Sequence, residues 1–214
     1  VEKIKLTSSD KIAGFIGDLT NMETMFITKE FFEKTIKSKN LEVRDNYTYV
    51  NTKSRLNYLF NSQINGIEDA DFILLVGANP RLEATILNTR IRKNYINKKT
   101  QIYSIGEIGD QTYPYEKLSE DTKIIKDICE KTSDISKKII TSKKPLIIIG
   151  NSALNSKSGK FIFENIKKFL IENKKFTENW NPLNFLPIHA STVGAYDLDI
   201  VNSEKNITLK GLEE

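Results

Sequence analysis

The stretch DFILLVGANP, Asp71–Pro80, decides the fold. Phe72–Val76 is apolar at every position, which is typical of a central parallel strand that is buried on both faces. The next four residues break the strand and lead into a helix predicted over about 83–95. A second apolar run over 102–105 completes a strand–helix–strand unit of about 35 residues. The sequence therefore predicts an α/β fold with mostly parallel strands.

The N-terminal part of the chain repeats this alternation of strand and helix. An apolar run over 12–16 predicts a buried strand. Thr20 and Glu23 match a capping box, which starts a helix that reaches about Lys37. A short strand is predicted over 41–43. The helix carries an apolar stripe that we expect to lie in the core, formed by Met22, Met25, Phe26, Phe32 and Ile36.

Beyond the central unit, the pattern predicts further helices and strands joined by long loops. The predicted elements are a loop over 106–117, a helix over 118–138, a strand over 146–150, a helix over 161–172 and an irregular, partly apolar tract over 180–200. An ordered loop is also predicted earlier in the chain, over 45–65. This loop and the tract over 180–200 are candidate interfaces, because long loops in α/β proteins often line binding surfaces.

The loop region near 112–120 predicts a division of the chain into two lobes. We expect a first α/β lobe over 1–115, a second α/β lobe over 116–200 that is incomplete, and a polar tail over 201–214. The first residue is Val1 rather than methionine, so we expect the chain to be a piece of a longer protein.

The composition excludes several kinds of site. The chain has one cysteine, Cys129, and one histidine, His189, so no intrachain disulfide can form. A cysteine-bound iron–sulfur cluster needs about four thiolates, and a Cys/His zinc site typically needs about four ligands. We therefore expect no metal site in this chain. Cys129 is interpreted as a core thiol beside an apolar helical stripe, and His189 as a hydrogen-bonded structural residue.

The charge balance indicates no nucleic-acid partner. The net charge is +4, and 27 of the 32 basic residues are lysine. These lysines come in scattered pairs, whereas nucleic-acid binders cluster Lys and Arg on one face with stacking aromatic residues. We interpret the pairs as solvated helix faces or loops. No apolar run approaches the roughly 20 residues that span a membrane.

One loop has a position that suits ligand binding. Gly77, Ala78, Asn79 and Pro80 follow the carboxyl end of a central strand and precede a helix, where ligands bind in open α/β sheets. The free amides of a helix N-terminus suit a phosphate, although a tight strand-to-helix turn has the same sequence. Both interpretations stay open here. Gly150–Ala153 repeats the pattern and is predicted to line the same cleft.

The remaining candidates are weaker. Gly106–Asp110 is not a dinucleotide fingerprint, because its glycine spacing differs and no helix follows directly. Glu68, Asp69 and Asp71 lie at the entry of the central strand, opposite the usual active side, and do not predict an acid/base pair. No catalytic residue is predicted.

Three longer strings carry a family resemblance. Asn57–Ser62, Gly66–Asp71 and Leu74–Arg81 resemble, in this order, the large iron–sulfur subunit of NADH–quinone oxidoreductase, respiratory complex I. The resemblance covers about residues 8–200. It continues through Glu83-Ala84, Leu87–Lys93, Asp110–Tyr113 with Tyr115 and Leu118, Lys144-Pro145 and Trp180–Asn184.

The resemblance implies a fold and a degenerate site. The C-terminal half of that subunit is similar to the molybdopterin oxidoreductases, which implies Rossmann-like lobes with mostly parallel sheets. In active members, a loop matching Gly77–Pro80 contacts the pterin dinucleotide, and a stretch matching Val193–Asp197 approaches it from the other lobe. Active members also carry an Asp-Pro-Arg-like turn that holds the guanosine end. This chain has Gly106-Glu107-Ile108 there, so no bound cofactor is expected.

The resemblance also implies a function and partners. It implies a structural, non-catalytic domain that supports electron transfer from NADH to quinone in the peripheral arm of the complex. The 2Fe-2S and 4Fe-4S clusters would belong to the N-terminal part of the subunit. The expected partners are that part and other subunits of the arm, on the cytoplasmic side of a bacterial inner membrane or the matrix side of a mitochondrial one. The alternatives are a fragment of an active molybdopterin-dependent oxidoreductase and an unrelated α/β nucleotide-binding module.

Overall fold

The computed structural model describes residues 1–17, 19–44 and 48–201. Within these residues the chain forms two compact units. One unit is continuous and runs from Leu56 to Leu186. The other combines the N-terminal segment up to Arg55 with the segment that starts at Pro187. The tail expected over 201–214 lies outside the described residues, except for Val201.

Strands and helices alternate along most of the described chain. The strands are β1 (Gly14–Phe15), β2 (Leu41–Glu42), β3 (Phe72–Val76), β4 (Gln101–Ile105), β5 (Glu116–Ser119), β6 (Pro145–Gly150) and β7 (Leu183–Leu186). The α-helices are α1 (Glu2–Leu6), α2 (Met22–Glu30), α3 (Gln63–Gly66), α4 (Pro80–Glu83), α5 (Thr85–Lys98), α6 (Ile124–Cys129), α7 (Asp134–Thr141), α8 (Asn151–Leu154), α9 (Gly159–Glu172) and α10 (Thr192–Asp197). A π-helical segment, Phe31–Ile36, continues α2. No helix in the described ranges is both long and apolar enough to cross a membrane.

The continuous unit is built on a five-stranded sheet. The strand order is β5-β4-β3-β6-β7, and every pairing is parallel. β3 lies at the centre, and all five of its residues are buried. Phe72 is in register with Gln101 of β4 and with Pro145 of β6. The predicted α/β class with parallel strands is therefore confirmed, and the apolar run over 72–76 is the central strand.

The structure divides the chain differently from the expected boundary at 115/116. Glu116–Ser119 forms β5 and pairs with β4, while β6 pairs with β3. Residues on both sides of 115 therefore share one sheet, and a boundary there would cut its hydrogen-bonded ladder. The glycine-rich loop that suggested the boundary returns the chain to the sheet edge.

The single helix expected over 118–138 is wrong. The chain forms β5 over 116–119, then α6 and α7 with a break between them. Lys131 has a φ of 63°, in the left-handed region, which ends the first helical segment. The apolar stripe expected on that helix is correct at four of its five residues. Ile125, Ile128, Ile135 and Ile139 are buried, whereas Ile124 is partly exposed.

The tract expected to be irregular over 180–200 contains regular structure. Leu183–Leu186 is the edge strand β7, and all four of its residues are buried. Its Asn184 is satisfied by Ser62, because the Ser62 amide donates to the Asn184 side chain at 2.8 Å and Asn184 donates to the Ser62 hydroxyl at 2.9 Å. Because the buried Asn184 interrupts the run of apolar residues, the sequence pattern does not predict this strand. The loop expected over 45–65 is described from residue 48 on, with a 3₁₀ turn at Arg55–Asn57 and the start of α3.

The discontinuous unit has a two-stranded parallel sheet, β1 with β2. Gly14 of β1 lies directly against the Phe32 ring, so a side chain there would overlap it. At the end of β2, the buried Glu42 pairs with the buried Arg44 at 2.8 Å. The amides of Val43 and Arg44 also donate to the Glu42 carboxylate, each at 3.0 Å. The pair is therefore supported by several hydrogen bonds, which buried charges require.

Two details of α2 correct the sequence predictions. The N-cap is Asn21 rather than Thr20, and its side chain accepts a hydrogen bond from the Thr24 amide at 2.9 Å. The expected core stripe is only partly buried. Met25 is fully buried, but Met22 and Phe26 are exposed. The helix is apolar on both faces, so spacing alone could not identify the inner one.

Candidate functional site

Three loops meet at the carboxyl edge of the parallel sheet. Gly77–Pro80 follows β3, the loop from Gly106 follows β4, and α8 begins directly after β6 at Asn151. The Gly77 amide donates to the carbonyl of Ile105 at 3.0 Å. Because parallel strands end at the same edge, this is where a ligand of an open α/β sheet binds.

The loops after β3 and β6 contact each other closely. A Cβ on Gly150 would lie 2.6 Å from Ala78 Cα, so only glycine fits there. The Ser152 hydroxyl donates to the Gly77 carbonyl at 2.6 Å. Gly77 has a φ of 53°, which favours glycine. The predicted approach of 150–153 to this loop is confirmed, although both belong to one unit rather than to two lobes.

Asn79 is fully engaged by neighbouring groups. Its Nδ2 donates to the Ile108 carbonyl at 3.0 Å. Its Oδ1 accepts from Gln111 Nε2 at 2.9 Å and, at 3.4 Å, from the amide of Leu82. The same Gln111 side chain accepts from the Arg81 amide at 3.2 Å. The amides at the start of α4 that were predicted to suit a phosphate therefore have partners within the chain.

A second layer of hydrogen bonds holds Gln111 in place. The Asn88 side chain donates to the Gln111 carbonyl at 3.2 Å. The Tyr113 hydroxyl donates to Asn88 Oδ1 at 2.8 Å. All three residues are buried, and burial raises the pKa of Tyr113 far above its ordinary value. The loops after β3 and β4 are thus joined by a buried polar network.

The positions that match the missing Asp-Pro-Arg turn have other roles. Gly106 has a φ of 100° and turns the chain back from β4. Glu107 is exposed and pairs with Lys117 at 2.8 Å, and hydrogen bonding from Lys117 lowers the pKa of Glu107. Ile108 is buried in the apolar core. An apolar side chain therefore occupies the position at which the resemblance leads us to expect a base.

Glu83 brings an acidic group to the same edge. Its Oε2 is buried and has no hydrogen-bond partner among the described residues. Burial raises the pKa of Glu83, while a hydrogen bond from the Asn79 amide lowers it, with a net increase. Burial of this carboxyl beside the loop therefore favours its neutral form.

The other expected contact segment lies in the discontinuous unit. Thr192–Asp197 forms α10. The Asp197 carboxylate is held by the Arg55 guanidinium through two hydrogen bonds of 2.8 Å. Gly194 is packed against Met22, whose Sδ would lie 2.7 Å from a Cβ at that position. These residues of 193–197 therefore make contacts within their own unit.

The acidic residues at the strand entry all have partners in neighbouring elements. Glu68 pairs with Lys93 at 2.7 Å and with Arg90, and Asp69 pairs with Lys144 at 2.9 Å. Asp71 accepts from the amides of Lys143 and Lys144 and from the Ser142 hydroxyl. These carboxylates join β3 to neighbouring elements and form no acid/base pair.

No three His, Cys, Asp or Glu side chains among the described residues are grouped to hold a metal ion. Cys129 is half-buried, and burial raises the pKa of its thiol to about 11. It borders a small apolar cavity at the α6–α9 contact, as expected of a core thiol. His189 is exposed.

Two features were not predicted from the sequence. Gln111 was noted only as part of a family string, because a single glutamine in a loop gives no sign that it is buried. A groove of about 890 Å³ also lies at the amino edge of the sheet, with Glu68, Lys144 and Trp180 among its lining residues. Four of its charged groups are paired with each other, as Glu68 with Arg90 and Asp69 with Lys144, and Glu178 also lines the groove.

Known proteins match the chain over nearly its whole length. The molybdopterin oxidoreductase family model matches residues 1–213. The chain is 36% identical over 213 residues to the NADH-ubiquinone oxidoreductase 75 kDa subunit of Reclinomonas americana, covering 94% of this chain and 31% of that protein. It is 35% identical over 197 residues to a subunit of the NADH-quinone oxidoreductase of Rickettsia bellii, covering 92% and 29%. It is 36% identical over 191 residues to the mitochondrial NADH-ubiquinone oxidoreductase 78 kDa subunit of Candida albicans, covering 88% and 26%. The chain spans about a third of the length of the curated relatives it matches.

Proposed function

The chain belongs to the molybdopterin oxidoreductase family, and from this membership we propose that it is a structural, non-catalytic domain of the large iron–sulfur subunit of NADH–quinone oxidoreductase. In this proposal it supports electron transfer from NADH to quinone in the peripheral arm. The named relatives support the assignment to this subunit.

The bonding of Asn79 is the observation that carries the non-catalytic role. The loop that matches the pterin-contacting loop of active members is joined to the next loop by Asn79 and Gln111. Ile108 is buried where the resemblance places a base. The residues present therefore do not fit a pterin dinucleotide, and no catalytic step is derived through one.

The remaining parts of the proposal concern the complete subunit. The 2Fe-2S and 4Fe-4S clusters would be held by the part of the subunit outside this chain. The partners would be that part and other subunits of the peripheral arm. The location would be peripheral, on the cytoplasmic side of a bacterial inner membrane or the matrix side of a mitochondrial one.

Affinity capture of the complete parent subunit from native membranes tests the assignment. We expect the other subunits of NADH–quinone oxidoreductase to be captured with it, together with NADH-dependent quinone reduction. Capture of the subunit with activity toward a different electron donor, or without any partner subunit, would contradict the proposal.

A further inference from the structure

One surface of the discontinuous unit is unusually apolar for a face in contact with water. Large exposed apolar side chains are concentrated in the first 31 residues of the chain. We define the α2 surface by four of them: Leu19, Phe26, Ile27 and Phe31. Contiguous exposed apolar side chains of this kind mark interaction sites.

The geometry of α2 places these residues on its outer side. Met25 is fully buried, and Phe32 lies against Gly14 of β1, so these two side chains face the unit's interior. Phe26, Ile27 and Phe31 are 51%, 65% and 48% exposed. Residues four apart are neighbours on a helix, so Ile27 and Phe31 form one continuous apolar patch.

Four charged residues of this helical segment form ion pairs with each other. Lys29 pairs with Glu33 at 3.7 Å, and Lys34 pairs with Glu30. These four charges are matched within the segment, so the groups left to recognise a partner are mainly apolar, with the exposed Glu23 in the first turn of α2. The preceding helix, α1, has no buried residue, and its Ile4 and Leu6 are exposed. A helix without a buried face gains little stability from this chain alone.

We infer that the α2 surface is a docking surface within the parent subunit, covered by polypeptide of that subunit outside this chain. About two thirds of the length of the Reclinomonas relative lies outside the matched region, so the polypeptide needed to cover the surface exists in the same subunit. A mainly apolar face on which most of the charges are paired fits a permanent intrasubunit contact, because such contacts resemble a domain core. The inference rests on the proposed function.

Hydroxyl-radical footprinting of the complete parent subunit, purified apart from the other subunits, tests this inference. Phe26 and Phe31 report on the α2 surface, and Phe161 of α9, 40% exposed, is the matched control. We expect Phe26 and Phe31 to be oxidised several-fold more slowly than Phe161. Equal oxidation of the three rings would overturn the inference. Protection that appears only in the assembled complex would also overturn it, because another subunit would then be the partner.

A pair of matched variants in the complete subunit gives a second readout. Ile27→Asp and Ile171→Asp both replace an isoleucine that is more than half exposed in this chain. If the α2 surface is covered, Ile27→Asp buries an unpaired charge and lowers the Tm by several degrees, whereas Ile171→Asp leaves it nearly unchanged. Equal Tm values for the two variants would contradict the inference. Both tests use the subunit alone, so they remain decisive even if capture experiments reject its place in the complex.

Discussion

The buried Gln111 side chain donates a hydrogen bond to Oδ1 of Asn79, 2.9 Å away. This bond joins the loops that follow two neighbouring parallel strands, at the edge where ligands of such sheets bind. This bond supplies a donor to the side-chain oxygen of Asn79, while the side-chain amide nitrogen of Asn79 donates to the Ile108 carbonyl. The polar groups that could have faced a ligand are therefore used to hold the loops together.

Replacing Gln111 should destabilise the sheet edge. Gln111→Ala leaves Asn79 Oδ1 and the Arg81 amide without this partner, which should cost about 1–3 kcal/mol of unfolding free energy. The exposed Gln63 is the control, and Gln63→Ala should change stability by no more than about 0.5 kcal/mol. Urea unfolding measures both. Equal stability of the two variants would mean that the network does not hold these loops.

The close approach of the loops after β3 and β6 predicts a strict need for glycine at 150. A Cβ on Gly150 would overlap the Gly77–Ala78 backbone, so Gly150→Ala should cost about 1–3 kcal/mol or more through overpacking. Gly66→Ala is the control, because its Cβ would meet only ordinary contacts at 3.6 and 3.7 Å. Thermal unfolding that ranks Gly66→Ala as the more harmful change would contradict this packing.

The contribution of Glu83 to the free energy of unfolding should decrease as the pH rises. Burial raises its folded pKa above the ordinary value of 4.5, so the folded chain holds the proton more tightly than the unfolded one. The stability from this group is full below pH 4.5 and is lost as the pH rises through the folded pKa. Glu83→Gln removes the titration, so the variant should gain stability relative to the parent chain across that range. Unfolding at a series of pH values checks this, and a difference that does not vary with pH would contradict it.

The buried Glu42–Arg44 pair should tolerate removal of both charges better than removal of one. Glu42→Gln removes the carboxylate charge that pairs with the buried Arg44 and should cost about 3–5 kcal/mol. The double change Glu42→Gln with Arg44→Met should recover part of that loss. Glu33→Gln, which breaks the exposed pair with Lys29, should cost at most about 0.5 kcal/mol. Chemical unfolding of the three variants compares them, and an equal cost for the two single changes would argue against a buried pair.

The central strand of the sheet could be predicted from the sequence, whereas the two edge strands could not. Phe72–Val76 is apolar at each position, so burial on both faces could be predicted without knowing its neighbours. β5 and β7 are four-residue edge strands with polar members such as Lys117 and Asn184. Their pairing depends on strands that are distant in sequence, and the local pattern does not show it.

Local sequence patterns also did not predict the division into two units or the hydrogen bonds of the candidate site. The discontinuous unit brings together segments from both ends of the described chain, whereas a boundary read along the sequence assumes that each unit is continuous. The loop Gly77–Pro80 could be located because strand ends are visible in the sequence. The partners of Asn79 could not, because Gln111 lies 32 residues away and is positioned only by folding.

The molybdenum and pterin content of the complete parent subunit tests the central claim most directly. The subunit would be produced in cells that synthesise the molybdopterin cofactor, and molybdenum, pterin and iron would be measured per polypeptide. The account predicts iron from the clusters of the remaining part, with neither molybdenum nor pterin in stoichiometric amount. One molybdenum and a bound pterin per polypeptide would contradict it, because the bonds of Asn79 and Gln111 would then have to open for a ligand.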